Sequence, residues 1–217
     1  MTLLMAILLI ERVYLMEIKD FLDSNSEFLQ VKKTYEDYEK DIKLLNEILP
    51  TKPELASFKI SYENFFIRKF IIVCANSFEL HLIKNLAETL CEDQPLLSNF
   101  IKKQALERRY HQLFDWDRNN ANAFFKLFGE DFKIEISTNI KGDNALEEGQ
   151  TAFLQLGRTR NEIVHKGFDS VRIQFSVNDT WNYFTQAIAF YKFTWEFIKE
   201  KTNISASCSL HQTACVP

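Results

Sequence analysis

Five glycines and four prolines in 217 residues give this chain few places to reverse direction tightly. An all-β chain needs a turn about every 8–12 residues and builds those turns largely from the two residue types that are scarce here. Long helices joined by few connections are the architecture left, and helical spacing runs over most of the chain. From Leu29 to Leu49, apolar or aromatic residues stand at Val31, Tyr35, Tyr38, Ile42, Leu45 and Ile48 in an otherwise charged stretch, at steps of three and four. Pro50 and Pro53 close that segment. Tyr62 to Leu90 is apolar on nearly every side in its first half, which predicts the central, most buried helix.

Asp93-Gln94-Pro95 interrupts the pattern, with Pro95 suited to the first turn of a helix from Leu96 to Phe114. A short helix is expected from Asn119 to Phe128, ended by Gly129. Phe132 to Ile136 alternates apolar and polar residues, the spacing of a brief extended piece, before Lys141-Gly142-Asp143-Asn144 turns the chain. Glu147 to Lys166 is the next helix, with Gly167 placed to cap it. Asn178 or Asp179 can N-cap the last long helix, which carries Trp181, Phe184, Ile188, Tyr191, Trp195 and Ile198. The expected fold is all-α: an antiparallel up-down bundle of about five main helices with short helices between them. Residues 1–202 read as a single domain.

Twenty Phe, seven Tyr and three Trp can fill a large core. The net charge of −4 supplies no general field for gripping phosphates, so a polyanion needs a local patch. Lys102, Lys103, Arg108 and Arg109 form one basic group, with the spacing of a solvated helix face. Arg158, Arg160, Lys166 and Arg172 form the other. None of Cys74, Cys91, Cys208 and Cys215 lies in a CxxC pair, and Cys74 follows the apolar run Phe70-Ile71-Ile72-Val73. That fits a buried thiol in a reducing, cytoplasmic compartment. Thr2 to Ile10 is almost wholly apolar, but it lacks the basic start and cleavage site of a signal peptide and is too short to span a bilayer. No membrane association is expected. Residues 1–15 read either as a helix docked on the core or as an extension ahead of an alternative start at Met16. Residues 203–217, rich in Ser, Thr and Cys and without periodicity, are expected to be poorly ordered.

One helix departs from its own pattern. Advancing about 100° per residue from Phe153, Leu156 falls near 300°, Ile163 near 280° and Val164 near 20°, an apolar stripe centred at roughly 340°. Arg160 falls at about 340° as well, where binary patterning puts Leu or Ile. A guanidinium in such a place needs a partner or a purpose. Glu79, amid the apolar central helix, can be that partner in a structural ion pair. The purpose is suggested by Arg158, Asn161 and His165, which fall within about 60° of one another on the adjoining face. Asn161 and His165 are an i,i+4 pair, and His165 sits in the last turn, where helix carbonyls favour an imidazolium.

Arg160-Asn161-Glu162-Ile163-Val164-His165 matches the R-x4-6-H motif of HEPN domains, in the form with a polar residue straight after the Arg. The stretch from Leu156 to Phe168 resembles the RiboL-PSP branch of that superfamily. So do Ala75-Asn76-Ser77-Phe78-Glu79, where such proteins often carry a Glu, and Asn119 to Gly129 with its Phe124-Phe125-Lys126-Leu127-Phe128-Gly129. The resemblance spans residues 60–200. It implies a helical bundle that forms a homodimer, with two motifs brought together across a two-fold. It also implies a metal-independent endoribonuclease without cofactors, of the kind found among toxins and defence effectors that have antitoxin or defence partners. Arg160, Asn161 and His165 take the catalytic roles that the motif implies. Arg158 and Lys166 are expected to bind the RNA substrate, and Glu79 to orient the site.

Cleaving RNA through its own 2′-OH needs a proton acceptor, a proton donor to the leaving oxygen and a cation on the phosphorane. Imidazoles and an arginine fork supply these. The alternative is a module that binds RNA, a nucleotide or another protein without cutting. Some HEPN toxins paired with nucleotidyltransferase antitoxins carry a Tyr two positions after the His; Gly167 stands there in this chain, so control through that Tyr is not expected. His81, His111 and His211 stand apart from cysteines and acidic clusters at ligand spacing, so no metal site is expected.

Overall fold

The computed structural model describes residues 16–91 and 94–212, with side chains described to residue 202. The apolar stretch from Thr2 to Ile10 lies outside the described residues. The elements are α1 (16–24), α2 (Ser26–Ile48), a 3-10 turn (Pro53–Leu55), α3 (Ala56–Leu90), α4 (Pro95–Ile101), a π-helical stretch (Lys102–Leu106), α5 (Glu107–Leu113), α6 (Asn122–Lys126), α7 (Glu130–Lys141), α8 (Asn144–Lys166) and α9 (Val177–Gln212). No strand occurs among the described residues, and the fold is the expected all-α bundle.

Ring contacts give the helix directions. Along α2, Phe28 meets Phe78 and Tyr38 meets Phe66, so α2 and α3 run antiparallel. Tyr35 stacks on Trp181 while Phe28 meets Tyr191, so α2 also opposes α9. Phe78 meets Phe153, and Phe65 meets Phe168 just past the end of α8, so α8 opposes α3. The Phe78 ring touches an aromatic ring on each of the other three long helices: Phe28, Phe153, and Phe184 with Tyr191. Such a fully buried ring contributes about 1.5–3 kcal/mol relative to exposure. Cys74 is buried in α3 as expected, and burial pushes its thiol pKa well up.

Three details differ from the sequence expectations. Residues 132–136 are helical, inside α7. Gly129 turns into α7 at φ +106°, Glu130 and Asp131 favour its first turn, and Phe132, Ile136 and Ile140 face inward at steps of four. The alternation over five residues arose because Ile134 lies outside that stripe, 57% exposed. Second, the segment from Leu96 to Phe114 is not one regular helix: the π-helical stretch rotates α5 relative to α4, so Leu106 and Tyr110 are buried while Leu96 and Phe100 stay exposed. Third, α9 is capped by Ser176, whose backbone N–H and hydroxyl donate to the Asp179 carboxylate while its hydroxyl oxygen accepts from the Asp179 N–H. These bonds hold the Asp179 pKa below the usual carboxylate range. α9 continues to Gln212. No helix among the described residues is long and apolar enough to cross a membrane.

Candidate active site

The site is carried by α8, whose two ends are fixed locally. The Asp143 carboxylate accepts from the N–H groups of Ala145 (2.8 Å) and Leu146 (3.2 Å), and Gly167 ends the helix at φ +98°. In between, α8 is squeezed by its neighbours. A Cβ on Gly157 would lie 2.0 Å from the Trp116 ring, so only glycine lets the indole come this close to the helix.

Beyond Gly157 the buried face narrows to Thr159 and Ile163. Arg160 therefore lies on the rim of the apolar stripe rather than at its centre, and Val164 beside it is 53% exposed. The Arg160 side chain retains only 15% exposure. It gets there with a full set of partners. Its Nε–H donates to Asn76 Oδ1 (3.2 Å), Nη2 to Glu79 Oε2 (3.2 Å) and Nη1 to Asn161 Oδ1 (3.1 Å). Asn76 and Glu79 are three apart on α3 and so face α8 together. The ion pair foreseen between Arg160 and Glu79 is thus present.

Arg160 Nη1 has one more neighbour: it lies 3.1 Å from Nδ1 and 3.2 Å from Nε2 of His111, in the last turn of α5. Trp116 ties this corner together, donating from Nε1 to the His111 carbonyl (3.0 Å) and accepting at its own carbonyl from Arg158 Nε (2.8 Å). Burial, then the Arg160 and His165 cations, push the His111 pKa below the ordinary histidine value against the opposing pull of Glu79. Burial and the Glu79 carboxylate raise the pKa of the adjacent, fully buried Tyr110 hydroxyl, so it stays protonated.

Of the residues singled out in the sequence, Arg160, Asn161 and Glu79 form one hydrogen-bonded cluster. His165 is exposed at the C-terminal end of α8, near enough for its charge to act on His111. Arg158 is committed through Nε to the Trp116 carbonyl, and Lys166 pairs with Glu162 across one turn (3.4 Å) on the exposed face. On the other basic segment, Lys103 pairs with Glu107 and Arg108 with Gln104, the pattern of a solvated face. His111 and Trp116 were not among the expected site residues. A glycine inside a helix signals close approach by something, and Gly157 is such a mark for Trp116. Nothing near His111 in sequence points to Arg160.

The cluster holds a guanidinium at the edge of an apolar crevice, with the exposed His111 imidazole against it and that of His165 nearby. Such a set can grip a phosphate and move protons around it. No curated protein and no solved structure matches this chain. The RiboL-PSP-HEPN family model matches residues 36–200, well over half of it, from within α2 through the main part of α9. The chain therefore belongs to the RiboL-PSP-HEPN family.

Proposed function

We propose that the Arg160–His165 segment of α8 carries the active site of a metal-independent endoribonuclease, which cuts RNA through its own 2′-OH. The observation that carries this reading is the placement of Arg160. Its guanidinium is set in advance by Asn76, Glu79 and Asn161, and it stands at the head of a HEPN motif whose His165 is free to meet solvent. A fork held in advance does not have to reorganise as charge builds on the phosphorane. Asn161 keeps the fork in plane, and His165 serves as proton donor to the leaving oxygen.

Arg160 and His165 are five residues apart, about 140° around the helix. One helix does not close both on one phosphate, which favours a homodimer in which the His165 of a second copy faces this Arg160. The exposed Val164, and Phe65 packed on Phe168 with ring centroids 5.4 Å apart, give the end of α8 an apolar rim suited to such a face. The reading implies a cytoplasmic toxin or defence effector with a controlling partner.

Product analysis tests the chemistry. Cleaved RNA should carry 2′,3′-cyclic phosphate and 5′-OH ends. A second reading, a module that binds RNA or a nucleotide without cutting, is favoured by the Glu79 carboxylate already paired with Arg160 and by the acidic net charge. RNA bound at low salt and recovered uncut supports that second reading instead.

A further inference from the structure

We propose that His111 is the proton acceptor of the cleavage step, so that one protomer supplies both the phosphate-binding cation and the base; this rests on the ribonuclease reading above. His111 is exposed, so a ribose can reach its ring, yet its place is fixed from two sides. Its carbonyl accepts from Trp116, which packs against Gly157, and its ring lies against Arg160 Nη1. Nη1 is almost equidistant from the two ring nitrogens, which places the guanidinium over the imidazole ring, and a cation held so close disfavours protonation of the ring and so favours the form a base requires.

The groups that face the ring agree with this. Arg160 and His165 from α8 disfavour its protonation, Glu79 from α3 opposes them, and Tyr110 from its own helix is buried and uncharged. A phosphate drawn to Arg160 lands beside His111, with the neighbouring 2′-OH within reach of the ring.

The step balances without a further reactant. The 2′-OH gives its proton to His111, and the O2′–P bond forms. The P–O5′ bond breaks, and the departing oxygen takes a proton from the His165 imidazolium. A 2′,3′-cyclic phosphate and a 5′-OH leave. His111 then returns its proton to water, and His165 regains one.

His111→Asn and His111→Gln test this in the full chain. Each keeps an oxygen that can accept from Arg160 Nη1 at the place of one ring nitrogen, but neither takes a proton. The expected result is a loss of about 10²–10⁴-fold in kcat, disappearance of the acid-side fall in the pH–rate profile, and partial recovery of His111→Ala by added imidazole. If both amide variants cut at nearly the wild-type rate with an unchanged pH profile while His165→Ala is dead, His111 only supports Arg160 and the inference is overturned, with the ribonuclease reading intact. If the wild-type chain does not cut RNA at all, both fall together.

Discussion

Arg160 and Glu79 hold each other in place where little water reaches, with side chains 15% and 18% exposed. Arg160→Ala strands the carboxylate and is expected to lower stability by about 1–3 kcal/mol in urea unfolding, less than for a pair with no water contact. Arg160→Met combined with Glu79→Leu should recover most of that loss, because the pair's cost of desolvation goes with it. The exposed His165 behaves oppositely: His165→Ala should leave stability within about 0.5 kcal/mol of wild type.

His81, two residues from Glu79 but on the opposite side of α3, gives a separate test. It is buried against Phe28, its ring nitrogens 2.9 Å from the Tyr191 hydroxyl and 3.0 Å from Asn25 Oδ1. Burial pushes its pKa down to about 4, against the pull of Glu27. As pH falls, the unfolded chain takes this proton first, near 6.5. The stability associated with neutral His81 is therefore complete above about 6.5 and is lost as pH falls towards 4, by about 3 kcal/mol in all. Tm followed from pH 7 to pH 5 should drop, and the drop should be shallower in His81→Gln.

The elements that deliver the site are α3, α5 and α8, and the Trp116 ring seated on Gly157 keeps α5 in register with α8. Gly157→Ala should displace that ring, cost about 1–3 kcal/mol and reduce RNA cleavage along with the fold. Gly142→Ala, where a Cβ makes only ordinary contacts, should leave both unchanged in the same thermal melts.

What could be read in advance follows the reach of each interaction. The spacings of α2, α3 and α9, the cap at Gly167 and the pattern break at Arg160 are local, so they show in the order of residues. Glu79 was legible as a partner because a charge in the middle of an apolar helix needs one. The contact of His111 with Arg160 was not, since the two are 49 positions apart and only the turn of α5 after the π-helical stretch brings them together. Residues 132–136 misled because alternation over so short a stretch also fits a helix stripe at steps of four.

At the scale of the whole molecule, two copies are expected to share two sites. Inactive Arg160→Ala and inactive His165→Ala chains, mixed and allowed to exchange, should regain part of the activity, because some mixed dimers carry one intact Arg160 facing one intact His165. A fully active stable monomer would contradict the shared cleft while leaving the chemistry of the motif standing. Cleavage of a fluorogenic RNA by the purified chain in EDTA, beside His165→Ala, measures that chemistry directly. The rate is expected to be the same in EDTA as in Mg²⁺, and the variant is expected to show none. Activity lost in EDTA and restored by Mg²⁺, or His165→Ala cutting as fast as the wild type, contradicts that chemistry.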